Sequence, residues 1–195
     1  MDSVQVIFYI LMGFSLAATC GLRAFLPLLI IGIAHQAGVI TLASGFEWIG
    51  SIPAIICFGT ASLLEILGDK IPAVDHFLDS GGVIVRPVAG AIAASSLITG
   101  MDPLLSLVIG IIMGAGIAGL VHTLKGSLRL VSTALTGGIA NPGISLAEDG
   151  AVATTGILAL IIPWLTAALI ILMVGFGGRK IISRIKQRRE KLVAS

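Results

Sequence analysis

The feature of this sequence that most constrains its fold is a series of long apolar runs that contain almost no charge. Of the 195 residues, 56% are hydrophobic and only 11% are charged. Soluble domains carry about 25% charged residues, and about twenty consecutive apolar residues are enough to cross a bilayer as a helix. The sequence therefore predicts an all-α integral membrane bundle that forms a single domain.

Seven apolar segments divide the chain. They cover residues 4–21, 24–39, 48–68, 83–100, 103–124, 130–146 and 155–178. The second and sixth segments are the weakest, and the sixth is rich in Ser, Thr, Gly and Asn with Pro142 inside it. For these two segments a broken or re-entrant helix is the alternative to a full crossing. Such a helix is tolerated only where protein or a water-filled cavity satisfies its backbone.

The distribution of Lys and Arg predicts the orientation of the bundle. Residues 179–191 are strongly basic, which places the C-terminus in the cytoplasm of a bacterial inner membrane and, with seven crossings, the N-terminus outside. The inner connections then hold Arg23, Lys70, Arg86, Lys125 and Arg129. The outer connections hold only acids, namely Glu47, Asp102, Glu148 and Asp149. This separation of charge favours seven crossings over five.

An internal repeat is a second prediction about the architecture. The stretch GLRAFLPLLIIGIA from Gly21 aligns with SLRLVSTALTGGIA from Ser127, and Ile-Pro and Lys pairs follow in the same order in both halves. The transmembrane domain, residues 1–178, would hold repeat A at 4–70 and a linker helix at 83–100. Repeat B would lie at 103–180 and so extend slightly past this domain. Each repeat would hold three apolar segments, with the linker helix between them, which gives a parallel three-plus-one-plus-three arrangement. Residues 179–195 would form a basic amphipathic helix on the inner leaflet.

Charged residues around the third and fourth segments are the candidates for a functional site. Glu65 and Asp69 are four residues apart and share a helix face. Ionisable groups at membrane depth often mark a pathway. One interpretation is a cytoplasmic vestibule that binds a cation, a proton or the charged end of a solute; the other is that these charges only neutralise each other or form a solvated loop. The candidates for transport or ion binding are Glu65, Asp69, Lys70, Asp75, His76, Asp79, Arg86 and Asn141.

Two resemblances to known families bear on these residues. The run from Glu65 to Lys70, EILGDK, is similar to the Glu-x-Gly-Asp-Lys signature of a family of cation/proton exchangers, with one extra residue before the Gly. The motifs GLRAFLPLL, DKIPAVDH and RPVAGA resemble a bacterial family of small membrane proteins known only as a domain of unknown function. That resemblance implies a multi-pass membrane protein and carries over no activity and no catalytic residue.

Three functions are compatible with this pattern. The first is a small-solute or ion transporter or channel-like protein, which predicts a polar cavity reaching from residues 70–82 toward Asn141. The alternative is a membrane scaffold or assembly factor without transport activity. An intramembrane enzyme is least favoured, because no nucleophile–base constellation stands out. The expected partners are the lipid bilayer, a small solute or cation and a second copy of the chain, with no cofactor and no nucleic acid; the sequence leaves a metal site undecided.

Overall fold

The computed structural model describes residues 3–193, which form seven α-helices with one long connection, residues 37–51, between the second and the third. The side chains of residues 72, 73, 75–77 and 180–193 lie outside this description. The helices are α1 (Ser3–Cys20), α2 (Phe25–Gln36), α3 (Ile52–Gly68), α4 (Pro72–Leu97), α5 (Pro103–Thr136), α6 (Asn141–Ile161) and α7 (Pro163–Val193). A short 3-10 turn, Glu47–Gly50, precedes α3.

Local sequence explains where several of these helices begin and end. The Ser51 side chain accepts a hydrogen bond from the Ala54 amide at the start of α3. The Asp102 carboxylate accepts two from the first turn of α5, as expected of N-cap residues. Helix α5 ends at Gly137, whose φ of 63° lies in the left-handed region that glycine adopts most easily.

Most prolines in the described helices lie in the first turn of a helix. Pro53, Pro103 and Pro142 each occupy the first or second residue of a helix, and Pro163 is the first residue of α7. A proline in the first turn removes no intrahelical hydrogen bond, because that amide has no partner in the helix. Within the described helices Pro87 of α4 is different, since it lies in the helix interior.

The sixth predicted segment, residues 130–146, is divided between two helices. Helix α5 continues through this region to Thr136, a turn follows, and α6 begins at Asn141. Glu148 and Asp149 therefore lie inside α6 and contact basic side chains that were expected on the inner side. The prediction that these two acids belong to an outer connection is wrong. Gly137 and Gly138 of this segment form the turn, whereas its Ser and Thr residues at 132, 133 and 136 lie in α5 and Asn141 begins α6.

Helices α1, α4 and α5 pack against one another through small residues. A Cβ added to Gly114 would collide with the Gly90 carbonyl oxygen and would approach the Ala94 Cβ to 2.8 Å. A Cβ added to Gly13 would lie 3.2 Å from the Ala94 carbonyl oxygen, and one added to Gly21 would collide with that of Ala118. Close approach of backbones through Gly and Ala is the usual packing mode of helices in membranes.

The remaining helices form two hairpins beside these three. In the first hairpin, α2 and α3, Gly32 faces Ile49 and Ile55. The connection between α2 and α3 reaches the C-terminal end of α4, where the Ala43 amide donates to the Ser96 carbonyl oxygen at 2.8 Å. The second hairpin, α6 and α7, packs on α1 and α2.

Several helices could span a membrane, as the sequence predicts. Within residues 3–193, four stretches are long and apolar enough, namely Ser3–Cys20, Leu78–Leu97, Pro103–Thr136 and Asn141–Ile161. Three shorter apolar stretches, Phe25–Gln36, Ile52–Gly68 and Pro163–Arg179, accompany them. Many large hydrophobic side chains on these helices point outward, including Ile56, Ile112 and Leu172. Such an outer surface suits lipid rather than water.

The internal repeat stays a prediction. Arg23 lies in the break between α1 and α2, whereas its proposed counterpart Arg129 lies inside the continuous helix α5. The division into repeats, linker helix and tail also stays a prediction. Residues 179–193 continue α7 without a separate helix, and the side chains that would form an amphipathic tail lie outside the described residues.

The glycine packing of α4 on α5 leads to a test of the fold. We expect Gly114→Ala to lower the unfolding free energy by roughly 1–3 kcal/mol, because its methyl group has no space. Gly116→Ala is the matched control on the same helix, since its added Cβ would meet nothing within 4 Å. The measurement is thermal unfolding of both variants in detergent micelles. Equal melting temperatures for the two variants would contradict the described packing.

Candidate functional site: a buried charge network

The Asp69 carboxylate, at the end of α3, lies among three cations inside the bundle. Its Oδ2 atom is 2.6 Å from Arg23 Nη1, 3.1 Å from Arg129 Nη2 and 3.7 Å from Lys125 Nζ. The side chains of Asp69, Arg23 and Lys125 are each 0% exposed. Asp69 therefore connects α3, the α1–α2 break and α5 at a point that solvent does not reach.

Helix α6 contributes two more acids to the same cations. The Glu148 Oε2 atom lies 3.0 Å from Lys125 Nζ and 3.1 Å from Arg129 Nη2. Asp149 Oδ1 lies 2.6 Å from Arg23 Nη2, which also donates to Ser145 Oγ at 3.0 Å. Arg129 and Lys125 are thus each within reach of acids from both α3 and α6.

A second group of charges adjoins the first and involves α4. Arg86 Nη2 lies 3.3 Å from Asp79 Oδ1 and 3.9 Å from Glu65 Oε1. Asp79 Oδ2 is 3.5 Å from Arg129 Nη1, which joins the two groups. Arg86 Nη1 is also hydrogen-bonded to His122 Nδ1. Because a guanidinium can only donate, this Nδ1 must be the accepting, unprotonated nitrogen of a neutral imidazole.

The same side chains satisfy the backbone where α1 ends and α2 begins. Glu65 accepts hydrogen bonds from the Ala24 and Phe25 amides at 3.1 and 3.4 Å. A carboxylate at this position is favoured by the partial positive charge of a helix N-terminus. Lys125 Nζ donates to the Leu22 carbonyl oxygen, and Arg23 Nη1 to that of Glu65. A break in a membrane helix requires such internal partners.

These residues form what we term the charge network, which holds four cations, five carboxylates and His122. Its charged members are Arg23, Arg86, Lys125, Arg129, Glu65, Asp69, Asp79, Glu148 and Asp149. Unpaired charges are very costly at membrane depth, and near-complete pairing makes their burial tolerable. Asp79 is the most exposed of the charged members, at 29%, and marks the side on which the network approaches the surface.

Comparison with known proteins assigns the chain to a family. A family model described as "Domain of unknown function (DUF4126)" matches residues 10–181, which include every member of the charge network. The chain belongs to the DUF4126 family. This confirms the resemblance to a domain of unknown function that the sequence motifs indicate. Searches of curated proteins and of solved structures find no match to the chain.

The DUF4126 domain brings together four of the residues that the sequence singles out, namely Glu65, Asp69, Asp79 and Arg86. Lys70 does not join them, since it is exposed and its Nζ donates to the Ile66 carbonyl oxygen. Asn141 is the first residue of α6, and its Nδ2 donates to Thr133 Oγ1 at 3.0 Å. The side chains of Asp75 and His76 lie outside the described residues.

Six members of the network in the DUF4126 domain are absent from the sequence-based candidates. They are Arg23, His122, Lys125, Arg129, Glu148 and Asp149. The sequence holds one indication of two of these residues: Lys125 and Arg129 are one helical turn apart in a chain with few charges. Of their acidic partners, Glu148 was assigned to the other side of the membrane, and the pairing with Asp69 joins residues too far apart in sequence to leave a local signal.

A cavity of about 160 Å³ adjoins the network between α2, α3 and α4. Glu65 and Arg86 border it, and apolar residues such as Phe25, Leu78 and Val85 form most of its wall. It does not extend to Asn141, where a transporter was expected to have its polar cavity. Among the described residues, no group of three His, Cys, Asp or Glu side chains is arranged to hold a metal ion.

The accepting role of His122 in the DUF4126 domain leads to a prediction. We expect His122→Asn to retain an acceptor for Arg86 and to leave the melting temperature nearly unchanged. His122→Lys places a second cation against the buried Arg86 and should lower the unfolding free energy by roughly 1–3 kcal/mol. Thermal unfolding in micelles measures both variants. If the Lys variant were as stable as the Asn variant, the Arg86–His122 contact would not exist as described.

Proposed function

We propose that this protein is a small-solute or ion transporter, or a channel-like protein, in which the charge network acts as the gate on the cytoplasmic side. One observation supports this function best. Arg129 Nη2 lies 3.1 Å from both Asp69 Oδ2 and Glu148 Oε2. A cation shared equally by acids on two different helices can favour either partner at small cost, and such alternative pairings underlie two-state conformational changes.

The position of the network among the helices fits a gate. It lies where the ends of α1 and α3, the start of α4 and the first half of α6 meet α5. Relative movement of the hairpins α2–α3 and α6–α7 would therefore exchange ion pairs rather than leave them intact. Broken helices, such as α1–α2 at Arg23, and repacking of one bundle against another are typical of transporters.

The orientation follows from the relation of the network to the C-terminal helix. A Cβ on Gly177 of α7 would lie 3.5 Å from Leu124, the residue that precedes Lys125. The chain continues from Gly177 into the basic stretch 179–191. Because basic residues favour the cytoplasmic side, the network belongs to that side and the α2–α3 connection to the other. We therefore propose a plasma-membrane location with the N-terminus outside.

This orientation can be tested with single cysteines. In a background with Cys20 and Cys57 replaced by Ala, we expect a membrane-impermeant maleimide to label Glu47→Cys in intact cells. Lys70→Cys, which is equally exposed in the structure, should be labelled only after the cells are opened. The opposite labelling pattern would contradict the orientation, and labelling of both in intact cells would contradict the placement of the two connections on opposite sides.

Transport itself can be tested in proteoliposomes. The panel includes sodium, potassium, protons reported by a trapped dye, glycerol, alanine and lactate. We expect uptake of at least one solute above protein-free liposomes, and Glu148→Gln should reduce it about tenfold or more. A hydrogen bond to a charged group contributes about 1.5–3 kcal/mol, and removing the charge of Glu148 weakens its ion pairs with Arg129 and Lys125. Glu47→Gln, in the exposed outer connection, is the matched control.

Two results of that experiment would count against a transporter. One is the absence of uptake for every solute in the panel, and the other is equal uptake by Glu148→Gln and wild type. The second candidate, a membrane scaffold, would then be favoured by a different observation. Helix α5 continues past Lys125 to Thr136 and exposes Leu130, Leu135 and, in the following turn, Ile139 by 75%, 80% and 86%. Such a surface suits a partner protein or a second copy of the chain.

A further inference from the structure

A second cavity lies at the end of the bundle opposite the charge network. It measures about 220 Å³, opens to the surface and is bordered by the α2–α3 connection, the last turn of α4 and the first turn of α5. Leu42, Phe46, Met101 and Leu107 form much of its apolar wall. The hydrogen bond from the Ala43 amide to the Ser96 carbonyl oxygen holds the connection over this end of α4. The cavity is therefore formed by three parts of the chain that are far apart in sequence.

This cavity differs from the charge network in that it has no charged side chains. None of the residues that line it carries an ionisable side chain, and its polar groups are hydroxyls, from residues that include Ser44, Ser95 and Ser106. Asp102 lies beside the cavity, but its carboxylate caps α5. A charged ligand would lose its hydration here without gaining a partner of opposite charge, at a cost of several kcal/mol or more.

Ser106 provides an independent indication that a ligand with hydroxyl groups fits this cavity. Its side chain is 4% exposed, and its Oγ has no hydrogen-bond partner among the described residues. The neighbouring Ser95 Oγ donates only a long bond, of 3.4 Å, to the Leu107 carbonyl oxygen. Buried hydroxyls are normally paired, so rotation of Ser106 about its Cα–Cβ bond would let it bond a group inside the cavity.

We propose that this cavity binds a small, neutral solute that carries hydroxyl groups, of the size of glycerol or a short polyol. The proposal rests on the proposed transport function, for which it names the substrate class and the outward-facing site. An engineered apolar cavity of about 150 Å³ binds benzene, so about six to nine non-hydrogen atoms fit here. Ser106 and Ser95 bind the solute hydroxyls, and Leu42, Phe46 and Leu107 pack against its carbon chain.

Binding can be measured without transport by cysteine protection. Ser44→Cys, in the Cys20→Ala and Cys57→Ala background, places a thiol on the exposed rim of the cavity. We expect glycerol and erythritol to slow its maleimide labelling in micelles several-fold, whereas potassium chloride and sodium lactate have no such effect. Thr41→Cys is the control, because it lies in the same connection, is exposed and does not line the cavity.

Ser106 variants then connect the protection to the cavity. Ser106→Leu should abolish protection by filling the cavity, and Ser106→Ala should raise the glycerol concentration that gives half-protection about two- to tenfold, the effect of one lost hydrogen bond. Melting temperatures close to that of wild type establish that both variants are folded. Equal protection at Thr41→Cys, protection by the salts instead, or no effect of either Ser106 variant would overturn the inference.

The experiments distinguish failure of the proposed transport function from failure of the proposed binding site. Protection at Ser44→Cys without uptake of any solute into proteoliposomes would contradict the transport function and keep the binding site. Uptake of an ion or of lactate, with no protection by polyols, would contradict the binding site and keep the transport function. Uptake of glycerol that Ser106→Leu removes and Glu148→Gln reduces would support both.

Discussion

The structure depends on the pairing of Asp69 with Arg23, Lys125 and Arg129. Each of these charges alone would oppose burial in an apolar bundle, and a buried pair that loses one partner is destabilised by about 3–5 kcal/mol. The ion pairs are therefore satisfied only when α3, α5 and the α1–α2 break occupy their observed positions. Apolar side chains facing lipid impose no such requirement, because lipid and neighbouring helices are similarly apolar. The network specifies the arrangement of helices that share an otherwise uniform composition.

The two ends of the bundle consequently differ in chemistry. At one end every cation of the network has a carboxylate partner, and Arg129 is shared between Asp69 and Glu148. At the other end, a cavity lined by hydroxyls and apolar groups contains no ionisable side chain. A neutral solute would not pair with these charges, and its passage would require only that the ion pairs separate and then form again. Under the proposed transport function, the charged end supplies the conformational change and the neutral end supplies the selectivity.

The sequence predicts the all-helical bundle well, and four of the ten members of the charge network. Each of the first five apolar segments overlaps one helix, from α1 to α5, whereas the sixth and seventh each cross the boundary between two helices. Glu65 and Asp69 were placed on one helix face from their spacing alone. The sixth segment was misplaced because apolar content does not reveal that a left-handed Gly137 ends α5 in its middle. Because this helix boundary was misplaced, Glu148 was assigned to the outer side of the membrane, away from Lys125 and Arg129, which it contacts. The pairing of Arg23 with residues more than 40 positions away has no local signature at all.

A double-mutant cycle on Arg23 and Asp69 tests the central claim most directly. The unfolding free energies of Arg23→Gln, Asp69→Asn and the double variant are measured in detergent micelles against wild type. If the charge network holds the bundle together, each single variant loses about 3–5 kcal/mol. The double variant then loses less than their sum by roughly 0.5–3 kcal/mol. Losses that add within about 0.3–0.5 kcal/mol would show that the two residues do not interact, and would contradict the account.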